Sequence, residues 1–451
     1  MNITTPFWRT QPGALDSHRT TADLPTSADV IVVGAGHAAA SFVTHLLSLG
    51  GANPPSVLVL EERQLCSGAT GRNGGHCKPD HHKQIANLAR RYGIAAAAEV
   101  ADLELANFEA LKHYIETEQV DCDMVITRAM DVTMTDSLSK QDLDGYNLLL
   151  QSGVAAASNC EYTGKLDAER AYKVSGVKGA KSCFSYPAAH LWPYKLVHHM
   201  FSHAIAQGLN LQTETKVTHI VQADDVSGSW LVHTSRGVVR TQKVVVLTNA
   251  YTFSVLPEYE GKIIPYRAIC ARIVPETTAP PLGNTYALRF ANWDHDYLIP
   301  RSDGSIVVGG ARSAFFQDSN EWYGRRDDDS IIEPARHYFD DFMQQHFEGW
   351  ENVRTSVAQL WTGIMGYSAD SLPRIGAVPR RPGVFIMAGF TGHGMAQIFS
   401  CAKGLAEMVT NGTTYEQTDL PRLFEETEAR LASQENMVCT SYRAATQQSK
   451  L

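Results

Sequence analysis

The chain has 451 residues, 44% of them hydrophobic and 19% charged, with a formal net charge of −9. That length predicts two joined domains rather than one unit, and the negative balance argues against nucleic acid as the main partner, because phosphate binding needs a basic face. Eight cysteines are scattered without CxxC or zinc spacing, there is no signal-peptide pattern, and no apolar run approaches the roughly 20 residues of a membrane span; a soluble intracellular protein with reduced thiols is expected.

After a leader rich in Pro and Thr comes ADVIVVGAGHAAASFVTHLLSLG. Val30 to Val33 reads as a strand buried on both faces. Gly34, Gly36 and Ala39 follow as GxGxxA, then helical spacing at Phe42, Val43, Leu46 and Leu47. Gly34 suits the tight turn, Gly36 the approach of backbone to a pyrophosphate, and Ala39 close helix–strand packing; the helix N-terminus favours negative charge. A second strand, Ser56 to Leu60, ends at Glu61, and either Glu61 or Glu62 is placed to accept hydrogen bonds from a ribose diol. Strand, glycines, helix, strand and acid together predict a dinucleotide site. FAD and NAD fit it equally well.

The next stretch, GATGRNGGHCKPDHH, holds four glycines and little that a core would want. It starts where a dinucleotide lying across the strand ends would extend. Its glycines let backbone N–H groups face a ligand, and Arg72 and Asn73 supply further donors. On these residues the chain resembles the amino-acid and amine oxidase superfamily of FAD enzymes, D-amino acid oxidase-like, and most closely its γ-glutamylputrescine oxidoreductase branch, whose GASGRNGG is nearly repeated. The resemblance runs from about residue 27 to about residue 415 and implies that the cofactor is FAD. It implies that Gly68, Ala69, Thr70, Arg72, Asn73, Gly74, Gly75 and His76 lie along the flavin. It also places main chain of Val217, in TETKVTHIV, against adenine, and Asn249, between Thr248 and Ala250, close to the cofactor.

Further along, IANLARRYGIAAAAEVADLELANFEALKHYIETE has helical periodicity. RAICARIVP, YALRF and YLIPRSDGSIVVGGAR alternate as a sheet with an SDG turn, and EPARHYFDDFMQQHF reads as helical. WTGIMGYSADSLPRIG and GVFIMAGFTGHGM resemble the superfamily's flavin-closing segment, which implies contacts from Gly363, Gly389, Gly392, His393, Gly394 and Met395. Independently, Val384 to Met387 reads as a buried strand, the three glycines leave backbone exposed, and a helix beginning near Met395 would stabilise negative charge on a reduced flavin. The expected fold is α/β: a Rossmann-like FAD-binding domain (1–85, 185–262 and 360–440) interleaved with a substrate domain (86–184 and 263–359) built on an antiparallel sheet plus helices. Residues 441–451 are expected to form a flexible tail.

The candidates for chemistry are Arg72, His393, Tyr297, Arg301 and Trp361. Arg72 is expected near the flavin ring. Arg301, which with Tyr297 opens a sheet segment, suits bidentate binding of a substrate carboxylate. Trp361 and Tyr367 offer ring faces to a substrate, and His393, set between glycines, is expected at the flavin edge or substrate. His190 and Trp192 are expected to be structural or to line a cavity. His76 and Cys77 are conceivable covalent tethers, as in some relatives. The attachment cysteine of sarcosine and pipecolate oxidases has no counterpart near Gly363, and their oxygen-activating lysine none in the strand Ser305–Gly309, which leaves the electron acceptor open. The pairs His81–His82 and His198–His199 lack ligand partners at useful spacing, so no metal site is expected.

The terminal Ser449, Lys450 and Leu451 match the address read by the peroxisomal import receptor. The expected activity is oxidation of a C–N bond in a small-molecule amine or amino acid, with hydride passing to FAD and then oxygen taking the electrons as peroxide, a product peroxisomes dispose of. Oxidation of a C–C or C–O bond, or FAD kept only for structure, are the alternatives. No nucleic acid or membrane partner is expected, and the choice between monomer and dimer is left open.

Overall fold

A six-stranded sheet forms around the first strand, Val30–Val33. In the computed structural model, which describes residues 4–51, 54–164, 168–226 and 228–448, this strand pairs in parallel with Val57–Leu60 on one side and Lys243–Val246 on the other. The order continues outward to Asn210–Gln212 at one edge, and through Val384–Ala388 to the antiparallel Arg374–Ala377 at the other. All four residues of Val30–Val33 are buried, as a strand covered on both faces requires. Val30 and Val32 pack under the helices His37–Leu49, Pro193–Ala206 and Ile398–Asn411. Ile31 and Val33 face a three-stranded sheet, Val217–Gln222, Trp230–Thr234 and Gly237–Thr241.

The second layer is one long sheet, in the order Thr355–Ser368, Ile263–Pro275, Ile306–Gly310, His295–Pro300, Thr285–Arg289, Val125–Thr133, Ser182–His190 and His76–Cys77, with Glu161–Gly164 paired to Ser182–His190. Its pairs are antiparallel except where Thr285–Arg289 runs parallel to Val125–Thr133, so the expected antiparallel sheet is in fact mixed. The domain limits also move. His76–Cys77, expected on the nucleotide side of residue 85, pairs into this sheet instead, and Ser182–His190 and Thr355–Ser368 run across the expected boundaries at 185 and 360.

Helical periodicity holds from residue 84 to 117, but Gly93, at φ +90°, breaks it into Gln84–Tyr92 and Ile94–Thr117. The stretch read as a helix after Ile332 yields only a short turn at Glu333–Ala335 and the helix Phe342–His346. Its aromatic residues Phe339, Phe342 and Phe347 are instead taken into the core under the long sheet. The end of the chain differs from expectation too. Met437–Gln448 is helical, with Ala445 buried and the Tyr442 hydroxyl donating to the Gln317 carbonyl at 2.8 Å, so a docked helix stands where a tail was expected from 441. Ser449, Lys450 and Leu451 lie outside the described residues.

One buried ion pair clamps the edge strand Arg374–Ala377. Arg374 is 1% exposed and donates to both oxygens of Glu426, at 2.9 and 3.1 Å. Removing one partner of such a pair leaves an uncompensated buried charge. Arg374→Met is therefore expected to lower the unfolding free energy by about 3–5 kcal/mol, with much of that recovered when Glu426→Leu is added. Chemical denaturation of both variants checks this, and equal loss in the single and double variants would contradict it.

Candidate functional site

Between the two layers run two cavities, of about 510 Å³ and about 670 Å³. They share Ala69, Asn73, Met365, Phe390, Gly392 and Met395 as a common wall. The first begins at the N-terminus of the helix His37–Leu49. Gly36, at the N-cap, has no side chain to cap that end; the His37 N–H donates to the Thr70 hydroxyl at 3.1 Å, and the helix end opens on the cavity with its partial positive charge, the arrangement an anion requires. Gly34 makes the turn at φ +102°, where an added Cβ would stand 3.0 Å from the Leu247 carbonyl oxygen. Gly36 passes so near the next loop that a Cβ would meet Thr70 Oγ1 at 3.1 Å. Ala39 lines neither cavity and is wholly buried in the helix, where its small size lets helix and sheet close up.

Both candidate acids reach the first cavity. Glu61 accepts the Ala35 N–H at 2.9 Å through one oxygen and the Arg63 N–H at 2.8 Å through the other. Each oxygen keeps a free lone pair for a diol. Burial raises its pKa against these hydrogen bonds. Glu62 is half in solvent and paired with Lys216, so Glu61 is the better placed of the two. Val217, Gly68, Thr70 and Asn249 complete the wall. Asn249 sits at φ +47° and accepts the Gly389 N–H at 2.9 Å, so Gly389 supports the site from behind and lines neither cavity.

The second cavity takes in Gly74, Gly75, His76, Tyr297, Gly363 and His393. Tyr297 lies across two glycines; a Cβ on Gly74 or on Gly309 would stand 2.3 or 2.4 Å from it. The His76 ring meets the Thr285 hydroxyl, and burial, its largest influence, holds its pKa well below the usual value. Cys77 next to it is buried and lines neither cavity; burial pushes its thiol up to about 12. His190 pairs in register with His76, and the Trp192 indole donates to the Trp8 carbonyl at 2.7 Å, which makes that segment structural.

Three expected chemical residues are placed otherwise. Arg72 borders the second cavity, but its guanidinium is consumed. It donates to the carbonyls of Ser67, Asp328 and Thr362 at 2.8–2.9 Å and pairs with the Asp328 carboxylate at 3.1 Å. It therefore ties chain segments together. Arg301 reaches neither cavity, because it lies past the end of the strand His295–Pro300, about 13 Å along from Tyr297, where it pairs with Asp123 at 2.8 Å and stacks over Trp8 and Trp192. Trp361 is fully buried with its indole N–H on the Arg72 carbonyl at 2.9 Å. Gly363, Met365 and Tyr367, farther along the same face of that strand, line the second cavity instead.

His393 is held by a residue the sequence reading passed over. Its Nε2 lies 2.9 Å from Glu104 Oε2, and Glu104 also accepts from Gln397 at 2.8 Å and from the Asp80 N–H at 2.7 Å. Burial disfavours the charged ring, but the Glu104 carboxylate outweighs it and raises the His393 pKa. Asn107, one turn on, bonds to the Met395 carbonyl and the Ser400 N–H. The signal was present: Glu104 and Asn107 interrupt the buried stripe of Ala97, Val100, Ala101, Phe108 and Leu111 on one helix, and a polar group there must have a partner. The expected helix start is also displaced. A short turn, Gly394–Ala396, intervenes before Ile398–Asn411.

The second cavity is electropositive. Lys78 and Arg289 line it and share one buried carboxylate, Asp131, at 3.8 and 2.7 Å. Arg312 also lines it, and among the described residues it has no carboxylate partner. It donates to the Trp293 carbonyl at 3.1 Å and the Tyr367 hydroxyl at 2.9 Å and stacks on Tyr266. The carboxyls of Asp294 and Asp296 act on Arg312 from beyond ion-pair distance, and burial raises the pKa of both, that of Asp296 to about 7. His295, which also lines the cavity, is held well below its usual pKa, first by burial and then by Arg312.

A family described as DAO, FAD dependent oxidoreductase, matches residues 29–408. The γ-glutamylputrescine oxidoreductase of Escherichia coli K12 is 25% identical over 406 residues, covering 84% of this chain and 83% of that protein. Among solved structures, glycine oxidase from Geobacillus kaustophilus superposes with a TM-score of 0.70 at 17% identity, over 90% of this chain and 99% of that one. L-proline dehydrogenase from P. horikoshii gives 0.68 at 19% identity, over 87% and 95%. These likenesses agree with the mixed α/β architecture described above.

The helix N-terminus at the cavity and the close approach at Gly36 lead to a test. Gly36→Val is expected to purify folded but without FAD, its branched side chain filling the space beside Thr70. Flavin absorbance relative to protein, with circular dichroism to confirm folding, reads the outcome; full FAD content in that variant would refute the assignment of the first cavity to the pyrophosphate.

Proposed function

We propose that this chain, which belongs to the DAO family of FAD-dependent oxidoreductases, oxidises the C–N bond of an amine or amino acid that carries a carboxylate. The observation that carries this reading is Arg312, a guanidinium on the cavity wall whose partners are all neutral. A cation without an ion-pair partner in a partly desolvated cavity favours an anionic ligand, and a charge-assisted pair there is stronger than a neutral hydrogen bond. Lys78 and Arg289, sharing one carboxylate, reinforce the same preference.

FAD would be held along the first cavity by the helix end at Gly36, by Glu61 and by the loop from Gly68 to Asn73, and would supply the two-electron acceptor, with oxygen as the final oxidant giving hydrogen peroxide. The chain's own residues bind and orient. Arg312 and Tyr367 hold the carboxylate, so that the carbon bearing nitrogen points to the shared wall of Asn73, Met365 and Met395. His295, kept neutral by burial, lines the cavity and can accept a hydrogen bond from the substrate's amino group, and an amine that arrives without its extra proton gives up hydride more readily. The substrate thereby loses a hydride and a proton to become an imine, which water hydrolyses. His393, whose pKa the Glu104 carboxylate raises against burial, is placed at the cavity wall to favour negative charge when protonated.

The terminal Ser449–Lys450–Leu451 supports delivery to peroxisomes. A fluorescent fusion ending in the native residues is expected in peroxisomes and one lacking the last three in the cytosol; cytosolic signal from both removes this part of the proposal.

The reaction is tested with a panel of amines and amino acids, read both by anaerobic bleaching of the flavin and by peroxide release. Substrates with a carboxylate are expected to bleach the flavin fastest. Arg312→Met should raise KM for them by about 10–150-fold, the worth of a hydrogen bond to a charged group, while leaving FAD content and the KM for a carboxylate-free analogue unchanged. An equal effect on both substrates would defeat the assignment of Arg312, and no bleaching by any amine would defeat C–N oxidation itself.

A further inference from the structure

Away from both cavities, the helix Pro193–Ala206 carries His199 and His203, four residues apart and hence on one face. Glu118, at the C-terminal end of the helix Ile94–Thr117, meets them there. One donor atom from each of the three side chains lies within 4.8 Å of the others. His203 Nδ1 stands 3.5 Å from Glu118 Oε2, close to the edge of a tetrahedron whose metal bonds are about 2.1 Å long. His199 Nε2 is buried and has no hydrogen-bond partner among the described residues. A buried ring nitrogen without a partner is costly, and a metal ion would satisfy one of the two ring nitrogens while fixing the other as the donor.

We propose that Glu118, His199 and His203 form a binding site for a zinc ion. Two imidazoles and one carboxylate suit Zn²⁺, whereas Mg²⁺ and Ca²⁺ prefer shells of oxygen alone. Burial, and then the neighbouring His203, lower the pKa of His199, which favours the neutral ring that a metal takes. The spacing of the two histidines is that of helix-borne zinc pairs, but the residue after the first is Met200, fully buried, where zinc hydrolases carry a glutamate base. The site therefore binds without hydrolytic chemistry. It staples the end of the helix that carries Glu104 to a helix packed on the six-stranded sheet.

The experiment uses the full chain with its FAD in place, freed of adventitious metal by chelation. Calorimetric titration with Zn²⁺ is expected to give one ion per chain, with no binding of Mg²⁺, and Zn²⁺ should raise Tm. Affinity should fall at least tenfold in His203→Ala and in His199→Gln, with the Tm rise abolished in each. His203 is partly exposed and its replacement should leave FAD content intact; His219→Ala, which alters an exposed histidine stacked on His233, should bind Zn²⁺ as the parent does. Absence of saturable Zn²⁺ binding in the parent, or binding unaltered by His203→Ala, would overturn the proposal and leave an ordinary surface pair between His203 and Glu118.

Discussion

Arg72 is the constraint on which the two layers depend. A guanidinium that is mostly withdrawn from water must have its N–H groups satisfied, and it presents them in a rigid planar fork. Here the fork is filled by Thr4 and Ser67 on the nucleotide side and by Asp328 and Thr362 from the other layer. Asp328 in turn forks onto Arg63, two residues beyond Glu61. The glycine-rich loop is thus pinned between a sheet that offers a helix N-terminus and a sheet that offers a cavity. The N-terminal leader joins the same junction: Trp8, fully buried, donates to the Asn73 carbonyl and packs beneath Gly75.

With the loop pinned, the charges divide. The first cavity is built mainly from backbone and small residues, with one acid, Glu61, positioned by two N–H groups. The second collects Lys78, Arg289 and Arg312 from three separate strands and loops, and its negative groups are turned to other work. Glu104 is spent on His393 and Gln397, and Asp80 holds the start of the helix Gln84–Tyr92. On the proposed function, such a division would give an acceptor for two electrons and an anionic substrate adjoining spaces with opposite demands.

The nucleotide half was legible because its signals are local. A turn at positive φ, a helix end and a strand that ends in an acid all lie within about thirty residues, so spacing alone carries the geometry. The substrate half was legible only in class. Strand alternation located Tyr297 correctly, yet Arg301, four residues farther on the same parity, falls past the strand end and pairs with Asp123. Trp361 shares a face with Gly363, Met365 and Tyr367 but lies beneath Arg72 rather than in the gap. Arg312 carried no signal at all, since an arginine after GGA is indistinguishable by pattern from one in solvent.

What the amino-acid order determined unaided was therefore the α/β class and the strand, glycine turn, helix and acid that line the first cavity, since these rest on backbone conformation and on contacts between near neighbours. Tertiary structure alone decided where the domains divide, which arginine remains without a carboxylate, and that Glu104 orients His393 from 289 positions away. Those outcomes depend on long-range pairing, and on which charges meet once water is excluded. Neither quantity is encoded in any short stretch of chain.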